Sequence, residues 1–338
     1  MMNNTNTKNM SPLVENEDSQ YQNTNINQDN SVYDENQENN AKCKIYNLNR
    51  FMALDLPKAG MILDPIITEG SLSMLHAYRG VGKSFFAMSL ALAVANGGKF
   101  LRWKAPHPSK VLYVDGEMPA NCLQERFQKV TGKSMIDESI DYTENLELFA
   151  ADMQTFSTID VGNKKMQEEI SRIIREKGIK LLILDNLSTL TTIDELDASS
   201  WGTIQSWLIS LRKSGVAVLI VHHSGKRGGQ RGISKREDIL DLVINLKNKT
   251  KSEKGDDEDE VAFNGKCQVM FEKNRNLSKK QISNFGIELL DMDNGSVAWV
   301  DTYATVIELK EQGCSCREIE AITGISKSRV SEIYRMAN

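Results

Sequence analysis

Tyr78-Arg79-Gly80-Val81-Gly82-Lys83-Ser84 is the stretch on which the fold of this chain turns. The apolar run before it, Leu72-Ser73-Met74-Leu75, reads as a buried strand. Residues 84–96 after it carry Phe, Ala, Met, Leu and Val in a pattern that reads as a helix. Strand, glycine-rich loop and helix in this order are the context of a phosphate-binding loop. Gly80 and Gly82 let the backbone curl so that successive N–H groups converge on phosphate oxygens. The helix N-terminus adds the positive end of its dipole. Arg79, Gly80, Val81, Gly82, Lys83, Ser84 and Phe85 are then the candidate binding residues, with Lys83 reaching the β- and γ-phosphates and the Ser84 hydroxyl holding Mg²⁺. One position departs from the G-x-x-x-x-G-K-S pattern, because Ala77 stands where the first glycine belongs. The alternative is a chance glycine-rich turn.

The chain has 338 residues, enough for one core of about 200–250 residues and a small module. A net charge of −5 argues against coating nucleic acid through bulk charge, while leaving room for a local basic loop. The five cysteines, Cys43, Cys122, Cys267, Cys314 and Cys316, show no C-x-x-C spacing, so metal binding is not expected and reduced thiols in the cytoplasm are. No apolar run has membrane-spanning length, and the polar N-terminus is not a signal peptide. Residues 1–48 are dense in Asn, Gln, Asp, Glu and Ser and read as a disordered tail.

Residues 49–300 alternate short apolar strands with helices, which predicts an α/β core with a mostly parallel sheet. Strands are expected at 111–114, 146–149, 181–184, 216–221, 242–246 and 268–271, and helices at 122–130, 166–177 and 199–214. The continuous apolar run Leu181-Leu182-Ile183-Leu184 suits a parallel sheet covered on both faces. Asp256-Asp257-Glu258-Asp259-Glu260 reads as a solvated loop tip.

Three acidic positions carry the expected chemistry. Asp185 ends the 181–184 strand, where a nucleoside triphosphatase places its Mg²⁺-contacting carboxylate. Many ATPases put a water-activating Glu next, but here Asn186 follows and cannot take a proton. Glu117, just past the 111–114 strand, is the candidate general base, with Asp115 the structural alternative.

The phosphate loop, the Glu after the second strand and the Asp without a following Glu resemble the RecA-type fold of P-loop ATPases. More narrowly they resemble plasmid RepA-type and DnaB-type hexameric helicase ATPases. The segment from Leu219 to Asp238 is similar to the RepA-like group, where a polar residue at the strand end senses the γ-phosphate. That residue is matched by His222 or His223, and a Gly-rich loop with Arg231-Gly232-Ile233-Ser234 follows, an imperfect match to the family turn. Glu272-Lys273-Asn274-Arg275-Asn276 resembles the Lys-x-Arg-Asn element of DnaB-type helicases. The resemblance implies that Lys273 and Arg275 reach a neighbouring subunit's nucleotide, and hence a homo-oligomer, a hexamer by analogy. A basic turn at a strand end is the plain alternative. Lys226, Arg227, Arg231, Lys235 and Arg236 read as a loop that follows single-stranded DNA, as a mobile, solvated loop, or as one serving the nucleotide site through Arg231.

Residues 301–338 read as three helices. Ser315 to Glu318 has capping-box spacing, Gly324 ends the second helix, and Ser326 caps the third. Ile319, Ile322, Ile325, Val330 and Ile333 supply a small apolar core. This pattern resembles the helix-turn-helix of resolvases, which implies that Lys327, Ser328, Arg329 and Arg335 face duplex DNA. A helical cap or protein-docking module is the alternative. The expectation is a cytoplasmic ATPase acting on DNA in plasmid or mobile-element replication. An ATP-switched DNA-binding regulator without unwinding activity, and a non-catalytic nucleotide-binding scaffold, are the competing readings.

Overall fold

The computed structural model describes residues 43–132, 144–155, 159–192, 198–224, 237–248, 265–279, 281–292, 295–323 and 325–337. The basic positions Lys226, Arg227, Arg231, Lys235 and Arg236, the acidic run 256–260, Gly324 and most of the predicted tail lie outside these residues. The chain divides into two compact units, Met1–Leu56 and Pro57–Asn338. In the first, a short helix α1 (Leu48–Met52) starts where the Asn47 side chain accepts the Arg50 N–H at 2.8 Å.

The second unit is built on a nine-stranded sheet. Six parallel strands lie side by side: β10 (Leu242–Asn248), β3 (Leu72–Ala77), β9 (Ala217–His223), β8 (Leu181–Asp185), β6 (Val111–Asp115) and β7 (Leu146–Ala150). Beyond β10 the sheet continues antiparallel through β11 (Lys266–Asn274), β12 (Phe285–Asp291) and β13 (Val297–Asp301). Two small hairpins, β1–β2 (Met61–Leu63, Ile67–Thr68) and β4–β5 (Lys99–Phe100, Trp103–Lys104), pair outside it. The sheet is therefore mixed and mostly parallel, as expected, and β12 and β13 add an extension that the apolar pattern did not announce.

Alternation along the strands feeds two cores. Leu75, Ala77, Val111, Tyr113, Leu181 and Ile183 face one side, together with the residues of α2 (Lys83–Asn96). Leu72, Met74, Leu112, Val114, Leu182 and Leu184 face the other, covered by α4 (Lys164–Lys177) and α5 (Ala198–Lys213). That is why these strands are apolar at every position. Helix α2 is apolar nearly all round because it is enclosed: Phe86 meets Phe100 at 4.7 Å, Trp103 at 6.0 Å and Trp299 of β13 at 6.1 Å between ring centroids. Helix α3 (Ala120–Thr131) buries only Leu123 and Phe127.

Three short helices follow β13 directly: α6 (Thr302–Glu311), α7 (Cys316–Thr323) and α8 (Lys327–Ala337). Val306, Ile319, Ile325, Val330 and Ile333 form their core, while Ile322 is 62% exposed and is no part of it. The capping box is present in both directions, with Glu318 N–H donating to Ser315 Oγ at 3.2 Å and Ser315 N–H to Glu318 Oε2 at 2.7 Å. At α8 it is Glu320 Oε1 that accepts the Lys327 N–H, at 3.0 Å, whereas the Ser326 hydroxyl lies 3.2 Å from that of Ser328.

Candidate active site

The parallel strands bring four chain segments to one edge of the sheet. Ala77 lies opposite His223 and Asp115 opposite Asp185, so the ends of β3, β9, β8 and β6 are level. Ligands of open α/β sheets bind at this edge, where loops diverge to opposite faces. A cleft of about 530 Å³ occupies it, lined by the phosphate loop, Glu117, Arg126, Asp185, Thr189 and His223 among others.

The loop is held open by its glycines. Gly80 and Gly82 have φ of 81° and 86°, a region open to glycine and strained for other residues. Gly82 is also the N-cap of α2 and offers no side-chain acceptor, so the first N–H groups of the helix are left to a ligand. Val81 is buried in the core and anchors the loop, while Arg79 and Phe85 line the cleft. Lys83 is 4% exposed, and its Nζ donates to Ala77 O and Tyr78 O, both at 2.9 Å. Burial lowers the Lys83 pKa to about 8, against the opposing pull of Asp185 and Glu117. Ala77 is fully buried, and its carbonyl also accepts the Ser224 N–H at 2.9 Å. Its methyl group fits where the pattern expects glycine.

Asp185 is buried at the end of β8 and hydrogen-bonds the Ser84 side chain. The Tyr113 hydroxyl, from the neighbouring strand, donates to Asp185 Oδ2. Burial pushes the Asp185 carboxyl up despite these hydrogen bonds and Lys83. A bound divalent cation would relieve that cost, so the Ser84–Asp185 pair fits Mg²⁺.

Asp115 and Glu117 divide the roles left open by the sequence. Asp115 Oδ1 accepts the N–H groups of Met118 at 2.8 Å and Glu117 at 3.2 Å, shaping the turn after β6. Glu117 lines the cleft with a side chain 56% exposed. Gly116 between them is tightly packed, because a Cβ there would sit 2.5 Å from Leu190 Cδ2 and 2.9 Å from Thr189 Oγ1, so that a neighbour would have to shift. Its N–H donates to Asp185 O at 2.9 Å, locking the two turns together.

Of the two histidines at the end of β9, His223 lines the cleft and His222 does not. His222 is 2% exposed, with Nδ1 3.4 Å from Ser188 Oγ. Strand alternation sends the two rings to opposite faces, and of the two it is His223 that turns to the cleft. His223 Nε2 lies 3.6 Å from Glu117 Oε2 and 3.1 Å from Asn186 Nδ2, and its Nδ1 is buried with no hydrogen-bond partner among the described residues. Burial lowers the His223 pKa, helped by Lys83.

Lys273 and Arg275 are not in this cleft. The Arg275 N–H donates to Asp241 O at 3.0 Å, and Asp241 N–H to Leu72 O at 2.7 Å, which puts Arg275 level with the start of β3. The cleft lies beyond its other end. The Arg275 guanidinium donates to Asp238 O, and Lys273 Nζ to Glu237 O.

Sequence reasoning missed Asn186, Tyr113 and Arg126. Tyr113 had a signal, since it shares its strand face with Asp115 two residues on. Asn186 had none, because its value comes from partners on two other strands.

A lysine held ready over a glycine cradle, with a hydroxyl–carboxylate pair beside it, meets the needs of a nucleotide's phosphates and their cation. The class of protein so defined is the P-loop ATPase. Family comparison agrees: residues 44–229, more than half of the chain, match the family model described as AAA domain, and the chain belongs to that family. Among curated proteins no sequence matches. Among solved structures the chain is similar to a KaiC-like protein from the hyperthermophilic archaeon Pyrococcus horikoshii OT3. The identity is 15% and the TM-score 0.48, over 70% of this chain and 93% of that one.

Proposed function

We propose that this protein is an Mg²⁺-dependent ATPase that works in the cytoplasm as a homo-oligomer on DNA, as a replicative helicase or replication ATPase of a plasmid or mobile element. The observation that carries the reading is the meeting of Lys83, Ser84, Asp185 and Glu117 in one cleft. Lys83 exchanges its two carbonyl partners for β- and γ-phosphate oxygens, and the loop N–H groups hold the remainder. Ser84 and Asp185 would hold Mg²⁺, whose charge would offset that of the phosphates. Glu117 orients and deprotonates the attacking water, and His223 reports on the γ-phosphate.

Support for an oligomer comes from Arg275. Five residue steps along β3 separate its level from the phosphate loop, about 17 Å, too far for action within the same chain. A guanidinium in that position serves a neighbour's nucleotide or none. Support for DNA contact comes from α8, where Lys327, Ser328 and Arg335 are exposed. Arg329 is engaged with Glu332 at 2.6 Å. No helix among the described residues is long and apolar enough to cross a membrane.

A second reading, a DNA-binding regulator that uses ATP as an assembly switch, draws on the join between α6 and the sheet. Asp301 caps α6 and pairs with Arg102 at 2.7 Å, tying the helices to the ATPase unit. Strand displacement on a forked duplex separates the two. Unwinding that requires ATP and is lost in Lys83→Ala sustains the motor, whereas tight duplex binding with turnover but no displacement leaves the switch. The mass of the ATP-bound assembly tests the oligomer, and a monomer that hydrolyses ATP at full rate removes the role of Arg275.

A further inference from the structure

Asn186 occupies the position after Asp185, where a Glu would itself be the base. Its side chain is 2% exposed and fully engaged. Oδ1 accepts the Thr189 N–H at 3.1 Å, and a backbone N–H can only donate. That contact settles which way the amide faces, so the NH₂ group points at Glu117 Oε2 at 2.5 Å and at His223 Nε2 at 3.1 Å. Both of its hydrogens are thereby used. An amide NH₂ cannot accept, so His223 Nε2 must, and its proton resides on Nδ1.

We propose that Asn186 is the positioning residue of this site: one amide aims the Glu117 carboxylate into the cleft and holds His223 as the neutral Nδ1–H tautomer. It rests on the reading of Glu117 as the base. The charged groups facing this triangle are Lys83 of α2, Arg79 of the phosphate loop, Asp115 of β6, Asp185 of β8 and Arg126 of α3. A cationic His223 would set its Nε2–H against the amide donor and its charge toward Lys83 and Arg79. Burial acts in the same direction. The donor role has a chemical consequence: where a carboxylate at 186 would compete with Glu117 for one proton, the amide offers it a hydrogen bond and no proton to exchange. The base can then stand at the end of β6, one strand away from Asp185.

The test compares Asn186→Asp, Asn186→Ala and Glu117→Gln by steady-state ATPase assay and by binding of a fluorescent ATP analogue, with thermal melts to show folding. Asn186→Asp keeps the shape and the Thr189 contact but loses the donor, and it sets a second carboxylate against the first. The acid limb of its pH–rate profile moves up by about one pH unit or more, as for paired carboxylates. In Asn186→Ala, kcat falls about 100-fold while KM and analogue affinity stay near the wild-type values. An Asn186→Asp enzyme with unchanged kcat and pH profile, alongside an inactive Glu117→Gln, overturns the role of Asn186 alone. Full turnover in Glu117→Gln removes the base and its positioning residue together. Should Asn186→Ala fail to fold, the isosteric Asn186→Asp decides.

Discussion

His76 Nε2 lies 2.8 Å from Glu272 Oε2, linking the strand that enters the phosphate loop to β11, which carries Lys273 and leads into Arg275. The other His76 nitrogen is 2.9 Å from Ser224 Oγ, and Asn245 donates to Glu272 Oε1 at 2.7 Å. The hydrogen bond from His76 holds the Glu272 carboxyl below its usual range. The stability it contributes is present above the unfolded carboxylate pKa and is lost as pH falls through the lower native value. Glu272→Gln should therefore lower stability by about 1 kcal/mol at pH 7, with the deficit vanishing once the pH falls below the lowered native value. Urea melts of both forms at several pH values check this.

The opposite sign is expected at Asp115, whose carboxyl burial raises to about 6. Between the unfolded value and this one, the unfolded chain ionises first, so stability falls as pH rises, and the loss persists above pH 6. Asn in its place keeps an acceptor for the Glu117 and Met118 N–H groups. Asp115→Asn should raise Tm at pH 7 by on the order of 3 °C and leave it unchanged near pH 4. Calorimetry at the two pH values distinguishes the cases.

Lys83 loses its charge as pH rises through about 8. Binding of phosphates requires that charge, so affinity for an ATP analogue should drop by up to about tenfold per pH unit above pH 8. Lys83→Arg, which stays charged, should lack this dependence, and Lys83→Ala should bind weakly throughout. A fluorescence titration between pH 7 and 9.5 is sufficient.

Gly116 has no room for a methyl group against Leu190 and Thr189. Gly116→Ala must push aside either the Leu190 and Thr189 side chains or the turn that carries Glu117; with the turn moved, kcat should fall by about 100-fold with analogue binding retained. Wild-type turnover in this variant would show that the turn yields without moving the carboxylate.

Asp301 is a buried N-cap: Oδ1 accepts from Ala304 N–H at 3.0 Å and Tyr303 N–H at 3.2 Å, and Oδ2 takes the Arg102 guanidinium, which also sits 3.6 Å over the Phe285 ring. Asp301→Ala removes a cap and leaves a cation unpaired, a loss of about 2–4 kcal/mol. Hydrogen exchange should speed up in α6 while ATP-analogue binding survives. Equal protection in both proteins would refute the coupling.

Much of this was legible along the chain. The phosphate loop, the parallel strands and the three terminal helices announce themselves because their signals are local: glycines at φ-demanding positions, apolar runs of strand length, and a Ser–Glu capping pair. The extension β12–β13 was not, since its half-buried residues alternate with Glu, Asp and Gly and carry no continuous apolar run. Ile322 was counted as core from helical spacing, yet the packing of α7 leaves it outside.

By itself, then, the sequence determined that a strand, a glycine-rich loop and a helix follow one another around Lys83 and Ser84, and that Asp185 ends one apolar strand while Glu117 lies just past another. Only the tertiary structure brought His223 rather than His222 into the cleft, made Asp115 a turn-former, placed the Asn186 amide against Glu117 and His223, and set Arg275 level with the start of β3, away from the cleft. Those outcomes depend on which strands lie side by side and in what register. Register is decided by burying two faces of a sheet at once, and a shift of one residue would exchange every side chain between them.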